Sequence, residues 1–262
     1  MLSAALLAAS LLAAPAAQQA CTSAGQIVNA AYLQVLERQA DPGSAGFIAA
    51  LDNGRMTVRD VVAQLAKSPE HVNRFFWTPL VAGIYRQMLN RDPSPDEVQQ
   101  AITRLSAGSL TIPDLVAQTA TRAANGEEGA VRILYRRLLG RDPDPGGLQS
   151  YTAMMQAQGI DAVVRSIVAS PEYRAHAGAD GIPSEDFAAY QQAVDALYRH
   201  LLGRAPDPAG LHDLTAIAVA QGVNAVVDRM VNSREYAQLY GVDIVPGHPE
   251  MRLCRGVGTS GR

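Results

Sequence analysis

Two cysteines in 262 residues, Cys21 and Cys254, leave no paired thiol ligands for a zinc site. Aromatic residues make up only 5% of the chain while Ala is abundant, which argues against a β-sandwich and for close-packed helices. There is no basic excess: the net charge is −3, so nothing in the balance neutralises phosphates, and nucleic acid is excluded as an expected partner. Beyond the first residues no segment approaches the roughly 18 uninterrupted apolar residues of a membrane span. Catalytic signatures are missing too: no H-E-x-x-H, no G-x-S-x-G, no phosphate-cradling glycine loop and no dinucleotide fingerprint. The five histidines, His71, His176, His200, His212 and His248, are scattered, and the acid pairs Glu127-Glu128 and Glu185-Asp186 lie in polar connectors. No catalytic residue, metal site or cofactor is therefore expected. The 48% hydrophobic and 18% charged composition is that of a globular protein with material for one large domain or two modest ones.

The amino terminus is the first positive feature. An apolar stretch from Ala4 to Ala14 is followed by Pro15, Ala16 and Ala17, the pattern of a secretory signal over residues 1–20, although no Lys or Arg precedes it. The expectation is a periplasmic or secreted protein with no membrane span once the signal is removed. In that setting Cys21 and Cys254 are either a disulfide joining the two ends or two free thiols.

The main feature is a block written four times. Tyr32, Tyr85, Tyr135 and Tyr198 are each followed six residues later by an arginine (Arg38, Arg91, Arg141, Arg204) and ten residues later by a proline (Pro42, Pro95, Pro145, Pro208). Ser68-Pro69-Glu70, Ser170-Pro171-Glu172-Tyr173 and Ser233-Arg234-Glu235-Tyr236 begin 35 or 36 residues after their tyrosines. In the second block Thr121 holds the serine position, and Glu and Tyr are missing.

Periodicity turns the block into helices. Val28, Ala31, Tyr32, Val35 and Leu36 recur as Val81, Ile84, Tyr85, Met88 and Leu89, and again in the third and fourth blocks, at i, i+3, i+4, i+7 and i+8. Gly140 and Gly203, with Asn90 as substitute, end this first helix in a left-handed residue. Asp41-Pro42, Ser94-Pro95, Asp144-Pro145 and Asp207-Pro208 then supply an N-cap acceptor and a first-turn proline for a second helix. A third helix carries Val61, Val62 and Leu65 or their counterparts, and Ser-Pro-Glu opens a short fourth. Proline-containing connectors are expected between Arg74 and Pro79 and between Gly178 and Phe187. The fold class is all-α, in four degenerate blocks of about three helices, with a signal over 1–20, blocks over 21–125 and 126–245, and a flexible tail over 246–262.

The frame Y-R-x-L-L-G-R-x-P-D-P-x-G-L followed by S-P-E-Y resembles a bacterial repeat domain of unknown function found in exported proteins, best matched over Ala130–Ala177 and Tyr190–Tyr240. The earlier half, R-M-T-V-R-D-V-V-A-Q-L-A-K-S-P-E-H-V-N-R-F-F from Arg55 and I-Y-R-Q-M-L-N-R-D-P-S-P-D-E from Ile84, is similar to phycobilisome linker domains. The resemblance implies an all-helical adaptor that organises other proteins without catalysis.

The repeated charges point to a structural clamp of Arg38 with Glu70, Arg141 with Glu172 and Arg204 with Glu235, since a guanidinium fork grips a carboxylate with two parallel bonds. The same arginines could instead form an anion or sugar-acid site. Arg91 faces Ala123 in place of the glutamate, so it is expected exposed or paired with a substitute such as Glu127 or Glu128. The turn Asp142–Gly147 does not suit calcium, because position five is Gly146 and position twelve is Ala153; helix capping accounts for its acids. Phe75, Phe76 and Trp77 form the one aromatic cluster, either core between blocks or a surface for a protein partner. The expected function is an exported scaffold or adaptor for protein partners at the cell envelope. An accessory that binds or processes surface glycan, and a secreted hydrolase, are the alternatives.

Overall fold

A computed structural model describes residues 22–176 and 184–253, with the side chains of Gln87 and residues 184–188 left undescribed. Among the described residues the fold is all-α with one short hairpin. The first block contains α1 (Ala24–Leu36), a 3-10 turn (Pro42–Ser44), α2 (Ala45–Asp52), α3 (Val58–Ala66) and α4 (Pro69–Val72). A π-helical turn (Asn73–Trp77) runs on into α5 (Thr78–Leu89), followed by α6 (Pro95–Ser106) and α7 (Ile112–Ala123) of the second block. The third block contains α8 (Glu127–Leu139), α9 (Pro145–Gln158), α10 (Ile160–Ala169) and α11 (Pro171–His176). The fourth contains α12 (Ser184–Leu197), a second π turn (Tyr198–Leu202), α13 (Pro208–Gln221), α14 (Val223–Val231) and α15 (Arg234–Leu239). The strands β1 (Ile244–Val245) and β2 (His248–Arg252) close the described chain.

The punctuation acts through caps. The side chains of Asp144 and Asp207 accept from Gly147 N and Gly210 N at 2.8 and 2.9 Å, and Ser94 accepts from Glu97 N at 3.2 Å. The first helices end at Asn90, Gly140 and Gly203, all left-handed. In the first block that position is Glu37, at φ 52°, where a side chain is strained.

Two expectations give way to the structure. The segment from Arg74 to Pro79 is helical throughout, because the π turn at 73–77 absorbs the hydrogen bond and the space that Pro79 would deny a regular α-turn. The tail expected from residue 246 is ordered as far as Leu253. Gly247, at φ 78°, turns the chain after Pro246, β2 pairs antiparallel with β1, and Val245 and Leu253 are buried. Leu253 N donates to Asp243 O, and Thr22 N donates to Arg252 O at 3.2 Å, which pairs the two described ends.

Buried apolar side chains from all four blocks form one continuous core. The packing links adjacent and distant blocks alike: α7 lies on α8 and α10, α3 on α14, and α12 on the first π turn and α5, while α1 touches the second π turn and the hairpin. Among the described residues no helix is long and apolar enough to cross a membrane.

Candidate functional site

The structure brings each repeated arginine between a ring and a carboxylate. Arg38 donates to Glu70 through Nε at 2.5 Å and Nη2 at 2.7 Å. Arg204 does so to Glu235 at 2.6 and 2.9 Å, and Arg141 holds Glu172 in the same two-pronged way, Nη2 to Oε2 being 2.8 Å. Each guanidinium lies about one ring-width over its own tyrosine, at 5.1 Å from Tyr32, 5.1 Å from Tyr135 and 5.0 Å from Tyr198. The third nitrogen of each donates to the backbone, at Gln39, Asp142 or Ala205. The arginine hydrogen bonds hold the carboxyls of Glu70, Glu172 and Glu235 below their usual range, and burial raises the three tyrosines. The six-residue spacing from Tyr to Arg thus places a cation on a ring, a role the charges alone did not reveal.

The second block makes the same grip with a carboxylate from elsewhere. Arg91 lies 5.4 Å from the Tyr85 ring and donates twice, at 2.8 Å, to Glu97. Glu97 also receives Ser94 N in a capping box, and with Arg91 as the largest cause its carboxyl falls to about 2. Neither Glu127 nor Glu128 is the partner. Glu97 stands in the repeat column of Gly147 and Gly210. In those two blocks a Cβ would approach the Tyr135 or Tyr198 hydroxyl to 2.5 or 2.3 Å, so any side chain there would force the tyrosine to shift.

The aromatic cluster divides. Phe76 is 4% exposed and packs on Tyr190, centroid to centroid 4.7 Å. Phe75 lies against His71 and His200 at 4.8 and 4.7 Å. Trp77 is half-buried and lines an open groove of about 330 Å³ with Phe76, Tyr190, Leu105, Val219 and Val223. Cys21 and Cys254 lie outside the described residues. The acids of the turn after α8 are committed within the fold, Asp142 to Arg136 Nε at 2.6 Å and Asp144 to the α9 cap.

A buried histidine pair was not foreseen. His71 Nε2 lies 3.1 Å from His200 Nδ1, joining α4 to the second π turn, and both rings are buried. Burial is the largest cause that lowers both, His71 to about 3. The sequence did hold a signal: His71 occupies the column of Tyr173 and Tyr236, and His200 that of Gln34, Gln87 and Arg137.

Comparison with known proteins places most of this chain in two family models. The Phycobilisome Linker polypeptide family model matches residues 77–186 and 184–248, and a Domain of unknown function (DUF4214) model matches residues 8–75. The linker similarity therefore extends through the later half of the chain. A phycobiliprotein ApcE from Microchaete diplosiphon is 41% identical over 56 residues, 21% of this chain and 5% of that protein. The ApcE of a Nostoc species is 38% identical over 56 residues, with the same coverage of each chain. A phycoerythrin class 2 subunit gamma, linker polypeptide, from a Synechococcus species is 33% identical over 57 residues, 21% of this chain and 20% of that protein. The chain thus spans a small part of each relative. Phycobilisome linkers are cytoplasmic phycobilisome components, which overturns the expected periplasmic or secreted location. That expectation rested on an apolar, small-residue run over Ala4–Ala14, a pattern that is weak when no basic residue precedes it. The DUF4214 match begins at residue 8, inside the same run. With the linker model covering more than half of its length, the chain belongs to the phycobilisome linker polypeptide family.

Proposed function

We propose that the protein is a non-catalytic helical scaffold that docks a protein partner in the groove beside Trp77. The family supports the general role, since phycobilisome linkers are structural polypeptides without enzymatic activity. The half-buried Trp77 carries the local reading. In a chain with a single Trp, that residue stands at the mouth of an apolar groove with Tyr190, Val219 and Val223, the setting in which an aromatic side chain anchors an interface. The partner class that follows from the relatives' names is a phycobiliprotein. The Arg–Glu pairs with their tyrosines serve as structural clamps that hold the first helix to the stub in the first, third and fourth blocks and to the second helix in the second, leaving the groove as the working surface.

Sedimentation of the purified chain with a phycobiliprotein preparation tests this directly. Trp77→Ala is expected to abolish co-sedimentation while the far-UV spectrum and cooperative melting persist. Undiminished binding by the variant would overturn the assignment of the groove. A photo-crosslinking residue at Val219, with a control at Arg132 on α8, gives a second readout; crosslinks at the control position alone would also sink it.

A further inference from the structure

The His71–His200 contact joins the first block to the fourth, across 129 residues of sequence. Its surroundings are unusual on both sides. His71 immediately precedes Val72 and the π turn 73–77, and His200 sits within the π turn 198–202. A π turn shifts the helical hydrogen-bond register and leaves backbone carbonyls to be satisfied from outside. Gln34 on α1 does this, donating through Nε2 to Arg199 O at 3.0 Å and His200 O at 3.2 Å. The Phe75 ring covers both imidazoles. The strained left-handed Glu37, at the end of α1, lies with Oε1 3.6 Å from His200 Nε2 and with Oε2 on Arg74 at 2.5 Å.

Tautomers follow from these partners. The Glu37 carboxylate faces His200 Nε2, which therefore carries the hydrogen, so His200 Nδ1 is an acceptor and His71 Nε2 donates to it. That leaves His71 Nδ1 as a bare nitrogen, and it is buried with no hydrogen-bond partner among the described residues. A lone pair without a donor is the cheaper way to leave that atom; an N–H there would be a buried donor with nothing to receive it.

We propose that His71 and His200 form a proton-operated latch between the first and fourth blocks, closed while both rings are neutral and released as they take up protons. A proton placed on His71 goes to Nδ1 and creates the buried, unreceived donor. A proton placed on His200 makes both its nitrogens donors, so His71 must accept at Nε2 and move its own hydrogen to that same Nδ1. Protonation of both sets two donors against each other at 3.1 Å and removes the hydrogen bond.

The charged groups facing the pair do not offset this. Arg74 on the first π turn opposes a cation on either ring, while Glu37 and Asp195 favour one on His200. Glu37 is shared with Arg74, and Asp195 on α12 is held by Arg199 at 2.8 Å. Glu70 beside His71 belongs to Arg38, and Glu235 on α15 belongs to Arg204. Burial therefore dominates, and it lowers both histidines. A group whose folded-state value is depressed makes the closed state lose ground once the pH falls below the ordinary histidine value of about 6.5.

The repeat itself supplies the variant. His71→Tyr installs the residue of the third and fourth blocks, and His200→Gln that of the first and second. Hydrogen exchange at the amides of Leu201 and Leu202, corrected for intrinsic rate, is read at pH 7.5 and 5.5. Wild type is expected to lose protection by about tenfold or more over that interval, and the double variant to lose almost none. Equal loss in both proteins overturns the latch. Ring-nitrogen NMR of the wild type decides independently, even if the double variant does not fold. His71 staying neutral down to pH 5.5, with His200 titrating below the ordinary histidine value, is the expected result, and both titrating near 6.5 the contrary one.

Discussion

The second and fourth blocks hold the same arginine over the same tyrosine, yet the carboxylate arrives from different directions. In the fourth, Glu235 reaches Arg204 from the stub after the third helix, across 31 residues. In the second, Glu97 reaches Arg91 from the first turn of the next helix, only six residues away. The exchange is coupled to a steric one. Where Glu235 serves, Gly210 lies bare beneath the Tyr198 hydroxyl; where the stub glutamate is missing, that column carries Glu97, and in the first block, where Glu70 serves, it carries Ser44. A repeat can therefore preserve a contact while exchanging the residues that make it, provided geometry compensates at both ends.

The largest effect probes what the two blocks share. Ile84→Ala and Leu197→Ala remove equivalent, fully buried residues of the first-helix frame and should each cost about 2–5 kcal/mol by denaturant unfolding. A large inequality would show that the blocks do not contribute equivalent cores. The next probes what differs. Gly210→Ala, a change that ordinarily favours a helix, should destabilise by about 1–3 kcal/mol, because the new methyl meets a tyrosine hydroxyl in a packed site. Glu97→Ala in the corresponding column of the second block should lose the clamp and one arm of the capping box without any clash. The compensation itself is tested by adding Ala123→Glu to Glu97→Gly. The pair should recover most of the melting temperature lost by Glu97→Gly alone, and absence of recovery would show that the stub cannot present a carboxylate to Arg91.

Acid unfolding gives a smaller but discriminating measurement. The clamp glutamates are depressed in the folded state, so their contribution is complete above the unfolded carboxyl value, ordinarily 4.5 for Glu, and is lost as the pH falls through the folded one. Glu97, at about 2, loses its share gradually over the widest interval, from the unfolded value down to the lowest pH. The histidine pair acts earlier, lowering stability below about pH 6.5. Stability against pH should therefore decline in two stages, and His71→Tyr with His200→Gln should remove only the upper one.

Much of the architecture was legible locally. Asp144-Pro145, Ser170-Pro171 and Gly140 act through hydrogen bonds and backbone angles within a few residues, so their meaning does not depend on the rest of the chain. The pairings of Arg38, Arg141 and Arg204 could be suggested by the repeat because an arginine and a glutamate recur at nearly the same separation in three blocks. Glu97 could have been suggested by the simultaneous loss at Ala123 and gain in the glycine column. Arg74–Pro79 reads as a break because proline denies a regular α-turn, but the continuation through a π turn depends on what packs around it.

By itself the sequence determined most of the helices, their caps and the four-fold frame, since these follow from periodicity, caps and prolines acting over one or two turns. Only the tertiary structure decided that the first block meets the fourth, that Trp77 borders a groove while Phe76 is buried, and that His71 faces His200. Those outcomes join residues separated by tens to more than a hundred positions. They are governed by which apolar faces bury one another, a collective choice that no local pattern encodes.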